Sequence, residues 1–337
     1  MAGDNLVARG TAYRLRFGGG ADGIERMAAS LRGVAFAPHR HDTYAVGLTL
    51  AGVQTFRYRG SLWHCPPGRW HVLHPDETHD GGAGSADGLD YRIIYLDPAL
   101  VQDALGGRPL PFVADPVLEP TPASRAVASW LADIEEPLDD AQAAEMTTAV
   151  VDMLTQHAGP ARPTALDLDA VRRVRTLLAD DPARRHPVAE FERVAGMDRW
   201  AVARQFRAAF GTSPTRFRTM RQLDTARRLI RAGVPLGEVA VAAGFADQSH
   251  LTRMFKRAFG LTPAVWAAGV SDAGGSDPAD RSRAGGSGLA DGSRPGGSGV
   301  GGSGAGADGV GHGGHVLPAV PEGHGLAEQG VAEVQQR

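Results

Sequence analysis

Residues 188–214 read VAEFERVAGMDRWAVARQFRAAFGTSP, and residues 236–263 read LGEVAVAAGFADQSHLTRMFKRAFGLTP. Both stretches open with a short apolar-faced helix, Val188–Val194 in the first and one beginning at Leu236 in the second. A glycine-bearing turn follows in each, Ala195-Gly196-Met197 and Ala243-Gly244-Phe245, where glycine takes the positive φ that other residues resist. Asp198 and Asp247 can then cap second helices over Arg199–Phe210 and Gln248–Phe259. Val202, Phe206 and Phe210 form an inner stripe at i, i+4, i+8, and Leu251, Phe255 and Phe259 repeat it. The endings match as well, Phe210-Gly-Thr-Ser-Pro214 against Phe259-Gly-Leu-Thr-Pro263. Gly244 follows Gly196 by 48 residues, whereas Arg253 follows Arg204 by 49, so the second turn is one residue longer. The pattern predicts two helix-turn-helix units in tandem, joined by one long helix over Arg216–Arg231. Two recognition elements on a rigid connector can enter successive major-groove faces of one DNA site.

The charge of the chain is divided in the same place. Its formal net charge is −3, from 35 basic and 38 acidic residues among 337. Residues 161–270 hold 18 Arg and one Lys against 10 Asp and Glu, a local charge of +9, which leaves −12 for the rest. A basic block inside an acidic chain points to an anionic partner for one part only. On the outward face of the first reading helix lie Trp200, Ala203, Arg204 and Arg207. A groove offering thymine methyls explains a large aromatic there, the alternative being that Trp200 packs on a neighbouring helix.

Arg221-x4-Ala226-x2-Leu229, then Val239-Ala240-x3-Gly244-Phe245-x3-Ser249-x-Leu251-x-Arg253-x-Phe255-Lys256-x3-Gly260-x-Thr262-Pro263, resembles the DNA-binding domain of the AraC/XylS transcriptional regulators over about 100 residues. The resemblance implies that the second helix of each unit reads base edges of double-stranded DNA. Carried over position by position, the readers are Trp200, Ala203 and Arg204, then Gln248, Ser249, Thr252 and Arg253. Ala203 departs from the polar residue often seen there and offers only a methyl. Asp198 stands where the family often has serine and keeps the cap. Arg204 and Arg253 suit bidentate contact with guanine, and Gln248 suits adenine, by donor and acceptor geometry. Arg207, Lys256 and Arg257 suit phosphate, which sets register rather than sequence. The arginines of Arg216–Arg231 read as a solvated helix face.

Upstream, short β-prone runs alternate with turn residues from Tyr44 to about Pro98 and predict an antiparallel sandwich or barrel. His39-Arg-His41-Asp-Thr-Tyr44, Gly52, Pro67-Gly68 and Pro75-Asp-Glu-Thr-His79 resemble the cupin-like effector domain of the same family, over about residues 30–100. That resemblance implies a small barrel holding a small-molecule effector. Candidate contacts are His39, His41, Tyr44, Thr49, Tyr58, Trp63 and His79, which combine aromatic walls with a few polar groups. Cupin enzymes bind metal through His-x-His, a Glu shortly after it and a later His. Here positions 45–47 are Ala-Val-Gly, leaving Glu77 as the one substitute carboxylate, and the expectation is no metal and no cofactor.

The expected organisation is α+β and multidomain. Residues 1–120 form the N-terminal cupin-like antiparallel β-barrel, 121–160 a helical dimerisation region and linker, 161–270 the all-α double helix-turn-helix domain, and 271–337 a disordered Gly/Ser-rich tail. Met146, Val150, Met153 and Leu154 make an apolar stripe that serves either as a homodimer seam or as packing against the barrel. The tail holds 20 of the 45 glycines and too few large apolar residues to offset ordering its backbone. One cysteine, Cys65, excludes an internal disulfide, and neither a signal peptide nor a membrane-length apolar run is present, so a cytoplasmic protein with no membrane partner is expected. No Gly-x-Ser-x-Gly, His-Glu-x-x-His or P-loop occurs. The favoured reading is an effector-controlled transcription regulator, not an enzyme, with RNA polymerase as a further partner if it activates. The alternative is a metal-dependent cupin enzyme carrying an auxiliary DNA-binding domain.

Overall fold

The computed structural model describes residues 13–160 and 165–271. The stretch 272–337, read above as the disordered tail, lies outside the described residues. Strands β1 (Tyr13–Phe17), β2 (Ile24–Leu31), β3 (Ala35–His39), β4 (Tyr44–Gly52), β5 (Gln54–Tyr58), β6 (Ser61–Cys65), β7 (Trp70–Leu73), β8 (His79–Ala83) and β9 (Leu89–Leu96) come first. Helix α1 (Pro98–Ala104), the short strand β10 (Val117–Leu118), and helices α2 (Pro122–Ala132) and α3 (Asp140–His157) follow. The helical half comprises α4 (Leu168–Asp180), α5 (Val188–Ala195), α6 (Arg199–Phe210), α7 (Pro214–Arg231), α8 (Leu236–Ala242), α9 (Gln248–Phe259) and α10 (Pro263–Ser271).

The strands form two antiparallel sheets, ordered β1-β2-β9-β4-β7-β10 and β3-β8-β5-β6. Their inner faces meet through Met27, Leu73, Tyr91 and Ile93 of the larger sheet and Phe56, Tyr58 and Cys65 of the smaller. The sheets stay open, so of the sandwich or barrel that the strand spacing allowed the structure is a sandwich, not the barrel that the cupin-like resemblance implied. Two of the edges are met by the helical half rather than by another strand. At edge strand β3 the Ala37 amide donates to the Gly260 carbonyl (3.2 Å), and just past it the Arg40 amide donates to the Arg257 carbonyl (3.1 Å). At edge strand β1 the Tyr13 hydroxyl donates to the Val265 carbonyl.

The outer face of the larger sheet is buried too, which explains why β9 is apolar on both sides. Ile94 and Leu96 face Val127 and Leu131 of α2 and the stripe Met146, Val150, Met153 and Leu154 of α3. All four stripe residues are buried inside one chain, so the stripe packs on the sheet and is not a dimer seam. Arg26, on β2, passes out through this layer and is almost wholly buried. Its guanidinium donates to the carbonyls of Gly19, Trp130, Asp133 and Glu136, holding the α2–α3 connection against the sheet.

In the helical half, Asp198 accepts from the Trp200 and Ala201 amides and Asp247 from the His250 amide, as the caps predicted. Gly196 ends α5 with φ +71°, a left-handed conformation that turns the chain into α6. The first unit closes on its own core of Val174, Leu178, Phe206, Phe210 and Phe217. The second unit does not. Leu223, Val239, Leu251, Phe255 and Trp266 are continuous with the inner core of the sandwich.

Arg26→Met removes donors from several backbone carbonyls at once. It should lower stability by about 3 kcal/mol or more, read as a shift in the urea midpoint at unchanged slope.

Candidate functional site

Helices α6 and α9 present the reading positions to solvent. Trp200 is 71 % exposed, which removes the reading that it packs on a neighbouring helix. Ala203, Arg204, Arg207, Gln248, Ser249, Arg253, Lys256 and Arg257 are exposed and Thr252 is half-buried. Among the described residues no ion pair engages the side chains of Arg204, Arg253, Lys256 or Arg257. Free guanidinium groups on an outward helix face are what base and phosphate contacts require. Arg207 differs, standing 3.6 Å from Asp76 of the β half.

Several arginines of α7 do not face solvent as expected, though Arg228 and Arg231 are exposed. Arg221 donates to Asp42 at 3.1 Å, Arg227 to Glu25 at 2.7 Å, and Arg216 lies 3.6 Å from Asp76. From α4, Arg175 reaches Asp97 and Arg172 reaches Asp103, both at 2.5 Å. Every carboxylate in this set comes from the N-terminal half and every guanidinium from the basic block. Periodicity missed this because an arginine paired across a tertiary interface has the same helical spacing as one facing water.

Between the sheets and the helices lies a cavity of about 460 Å³. The sandwich supplies Leu15, Met27, Leu73, Tyr91, Ile93 and Tyr95 from one sheet and His39, His79, Gln54 and Gly81 from the other. The helical half closes it with Met220, Arg221 and Arg227 of α7, Phe259 of α9 and Trp266 of α10. His39, His41 and His79 cluster in its wall, with ring centroids 4.4 Å apart for His39–His79 and 4.9 Å for His41–His79. Each donates its Nδ1–H to a backbone carbonyl, of Ala37, Thr43 and Glu77 respectively, so each Nε2 keeps its lone pair.

Four other effector candidates do not line the cavity. Tyr44 lies on the outer face and donates to the Pro111 carbonyl (3.0 Å). Thr49 donates to Cys65 Sγ (3.4 Å), Tyr58 is held at His74 (3.1 Å), and Trp63 donates to the Tyr58 carbonyl (3.3 Å). The cavity also uses residues that the sequence reading passed over, above all His71, Gln54, Tyr91 and Tyr95. Strand alternation on β9 would have flagged the two tyrosines; nothing local marks His71. A metal does not fit here. Glu77, the one substitute carboxylate, is tied to Arg59 at 2.7 Å, and among the described residues no three His, Cys, Asp or Glu side chains are arranged to hold an ion.

A β-rich sensor packed on two exposed DNA-reading helices is the build of a ligand-responsive transcription factor. Residues 23–150 match the family described as AraC-like ligand binding domain, and residues 192–269 match the helix-turn-helix domain family. The chain belongs to the AraC family of transcription regulators and is not an enzyme. It is 25 % identical over 223 residues to the uncharacterized HTH-type transcriptional regulator YbfI of Bacillus subtilis, covering 64 % of this chain and 81 % of that one. It is 32 % identical over 98 residues to the regulator RipA of Corynebacterium glutamicum, covering 29 % of this chain and only 30 % of RipA. The fold is similar to that of ToxT from Vibrio cholerae, with a TM-score of 0.53 at 12 % identity over 78 % of this chain and all of that one. A further ToxT structure, with a TM-score of 0.52 at 12 % identity over 81 % of this chain and 99 % of that one, holds an unsaturated fatty acid.

Burial, then each other's proximity, pushes His39, His41 and His79 down to about 3, and burial pushes His71 and His74 down to about 4. Unfolded imidazoles take up protons near pH 6.5, so the stability these rings contribute is complete above that value and is lost as the pH falls toward 3–4. Asp42, raised by burial to about 6, and Asp224, also raised by burial, work in the opposite direction but are two groups against five rings. The melting midpoint should therefore fall between about pH 7 and about pH 5, by up to about 1.4 kcal/mol of stability per pH unit for each ring. His79→Asn should flatten the profile. A midpoint independent of pH over that window contradicts the buried neutral cluster.

Proposed function

We propose that this chain is a sequence-specific regulator of transcription whose grip on DNA is set by a small-molecule effector in the cavity. Residues 1–120 sense the effector, 121–160 brace the sensor, and 161–270 read DNA. The observation that carries the reading is the double wall of the cavity, with the sandwich on one side and α7, α9 and α10 on the other. An occupant touches both halves at once. It therefore favours whichever arrangement of the halves it fits better, and the populations shift by its differential affinity. The apolar share of the walls supports an effector with an apolar body, in keeping with the fatty acid held by the ToxT fold. The protein acts in the cytoplasm, with DNA as its macromolecular partner, as a homodimer on paired half-sites, and with RNA polymerase where it activates.

Base reading falls to Trp200, Ala203, Arg204, Gln248, Ser249, Thr252 and Arg253, and phosphate contact to Arg207, Lys256 and Arg257. On DNA selected from a random pool by the wild type, Arg253→Ala should relax preference at one base pair by ~1–3 kcal/mol. Arg257→Ala should weaken all sequences alike and flatten the salt dependence. An equal loss on every sequence for Arg253→Ala refutes its assignment.

Asp76, 3.6 Å from Arg207, competes with phosphate for its guanidinium. Asp76→Asn should steepen the slope of log affinity against log salt by about 1. An unchanged slope in filter-binding titrations removes Arg207 from the DNA contacts.

A further inference from the structure

His71 lies on β7 with its ring laid across β4, directly opposite Gly47 in the register. A methyl group at position 47 would overlap the imidazole, so the glycine makes the space the ring occupies. The side chain is fully buried among Phe56 and Tyr91, and it borders the cavity. Neither ring nitrogen has a hydrogen-bond partner. Across the cavity, Gln54 of β5 is 7 % exposed and its Oε1 is also unpartnered. These differ from the other buried histidines, whose Nδ1 atoms are all occupied by a carbonyl, a hydroxyl or a guanidinium. A buried polar group left unpaired is destabilising, so the two ring nitrogens bring the fold no hydrogen bond to offset their burial.

A neutral imidazole offers one N–H donor and one bare acceptor, and Gln54 Oε1 offers a second acceptor. Burial keeps His71 uncharged. At the wall made by α7, Arg221 is paired with Asp42 and Arg227 with Glu25, while Arg228 and Asp80 also line the cavity. The group best suited to His71 carries no charge to desolvate at this buried end and can both accept and donate. A hydroxyl does both, accepting from the imidazole N–H or donating to its bare nitrogen, with Gln54 Oε1 as a second acceptor.

We propose that His71 and Gln54 form the polar subsite of the effector cavity, taking the hydroxyl end of an uncharged molecule whose body is apolar. The proposal rests on the reading of the cavity as the effector site, and it narrows the effector to an alcohol or phenol at this end. Gly47 is a positioning residue, acting through the ring it seats.

The test uses the full chain and three probes of one shape, 4-ethylphenol, ethylbenzene and 4-ethylbenzoate, in calorimetric titrations. Ethylbenzene should bind wild type and His71→Leu equally, because the apolar walls are the same. 4-Ethylphenol should bind wild type more tightly than ethylbenzene does, and should lose about tenfold in His71→Leu or Gly47→Ala. The imidazole ¹⁵N signals of His71 in the wild type should move on adding the phenol and stay in place on adding ethylbenzene, which needs no variant to fold. His71→Leu should melt at the wild-type temperature or above it. A clear drop in its midpoint would show a structural role and overturn the assignment. Equal binding of phenol and ethylbenzene overturns the hydroxyl subsite and leaves the cavity standing. Preference for the benzoate overturns the uncharged class. Binding of none of the three overturns the cavity itself as a ligand site.

Discussion

The guanidinium groups of Arg216, Arg221 and Arg227 reach from one long helix to Asp76, Asp42 and Glu25, and the cavity, the sensor and the reading helices all hang on that contact. Desolvating such pairs costs nearly as much as their attraction returns, so they add little net stability. Their value is orientation. An arginine of α7 left unpaired against the sandwich would be a partly buried naked charge, so other placements of the helix are strongly disfavoured. With α7 in place, Met220 and Arg227 close the cavity, and the second helix-turn-helix unit completes its core against the sheets. Arg227 is further held between the rings of Phe17, Phe259 and Trp266, with contributions from both halves.

This contact also brings the cavity and a reading helix together. The carbonyl of Gly260, the residue that ends reading helix α9 at φ +71°, accepts the amide of Ala37 in β3. His39, two residues along that strand, lies against the same glycine, where a side chain would meet its ring. The histidine cluster of the cavity wall and the end of a DNA-reading helix are therefore neighbours in a packed interface. Packed interfaces respond to an occupant by changing arrangement rather than by stretching.

The helical half was legible almost residue by residue. Its stripes, aspartate caps and glycine turns are local signals, and α6 and α9 span the residues that those signals bound. The β half was legible as strands and poorly legible as a site. Tyr44, Thr49, Tyr58 and Trp63 were sensible pocket residues by type, yet none lines the cavity. Tyr44 takes the outer face, and the other three are tied to partners within the sandwich, because type says neither which face of a strand a residue takes nor where along it the cavity lies. The stripe on α3 was ambiguous for a related reason. An apolar face demands burial without naming what buries it.

The sequence by itself determined two DNA-reading units, their capped helices, the positions those helices expose, and a charge divided between a basic block and an acidic remainder. Each of these follows from interactions within a few residues or from counting. Only the tertiary structure decided where the divided charge goes, into ion pairs between the halves, and which polar groups line the cavity. Such facts depend on contacts between residues as far apart as Glu25 and Arg227, and no local pattern encodes them. The two unpartnered nitrogens of His71 show it most plainly, since a missing partner is visible only when all the neighbours are in place.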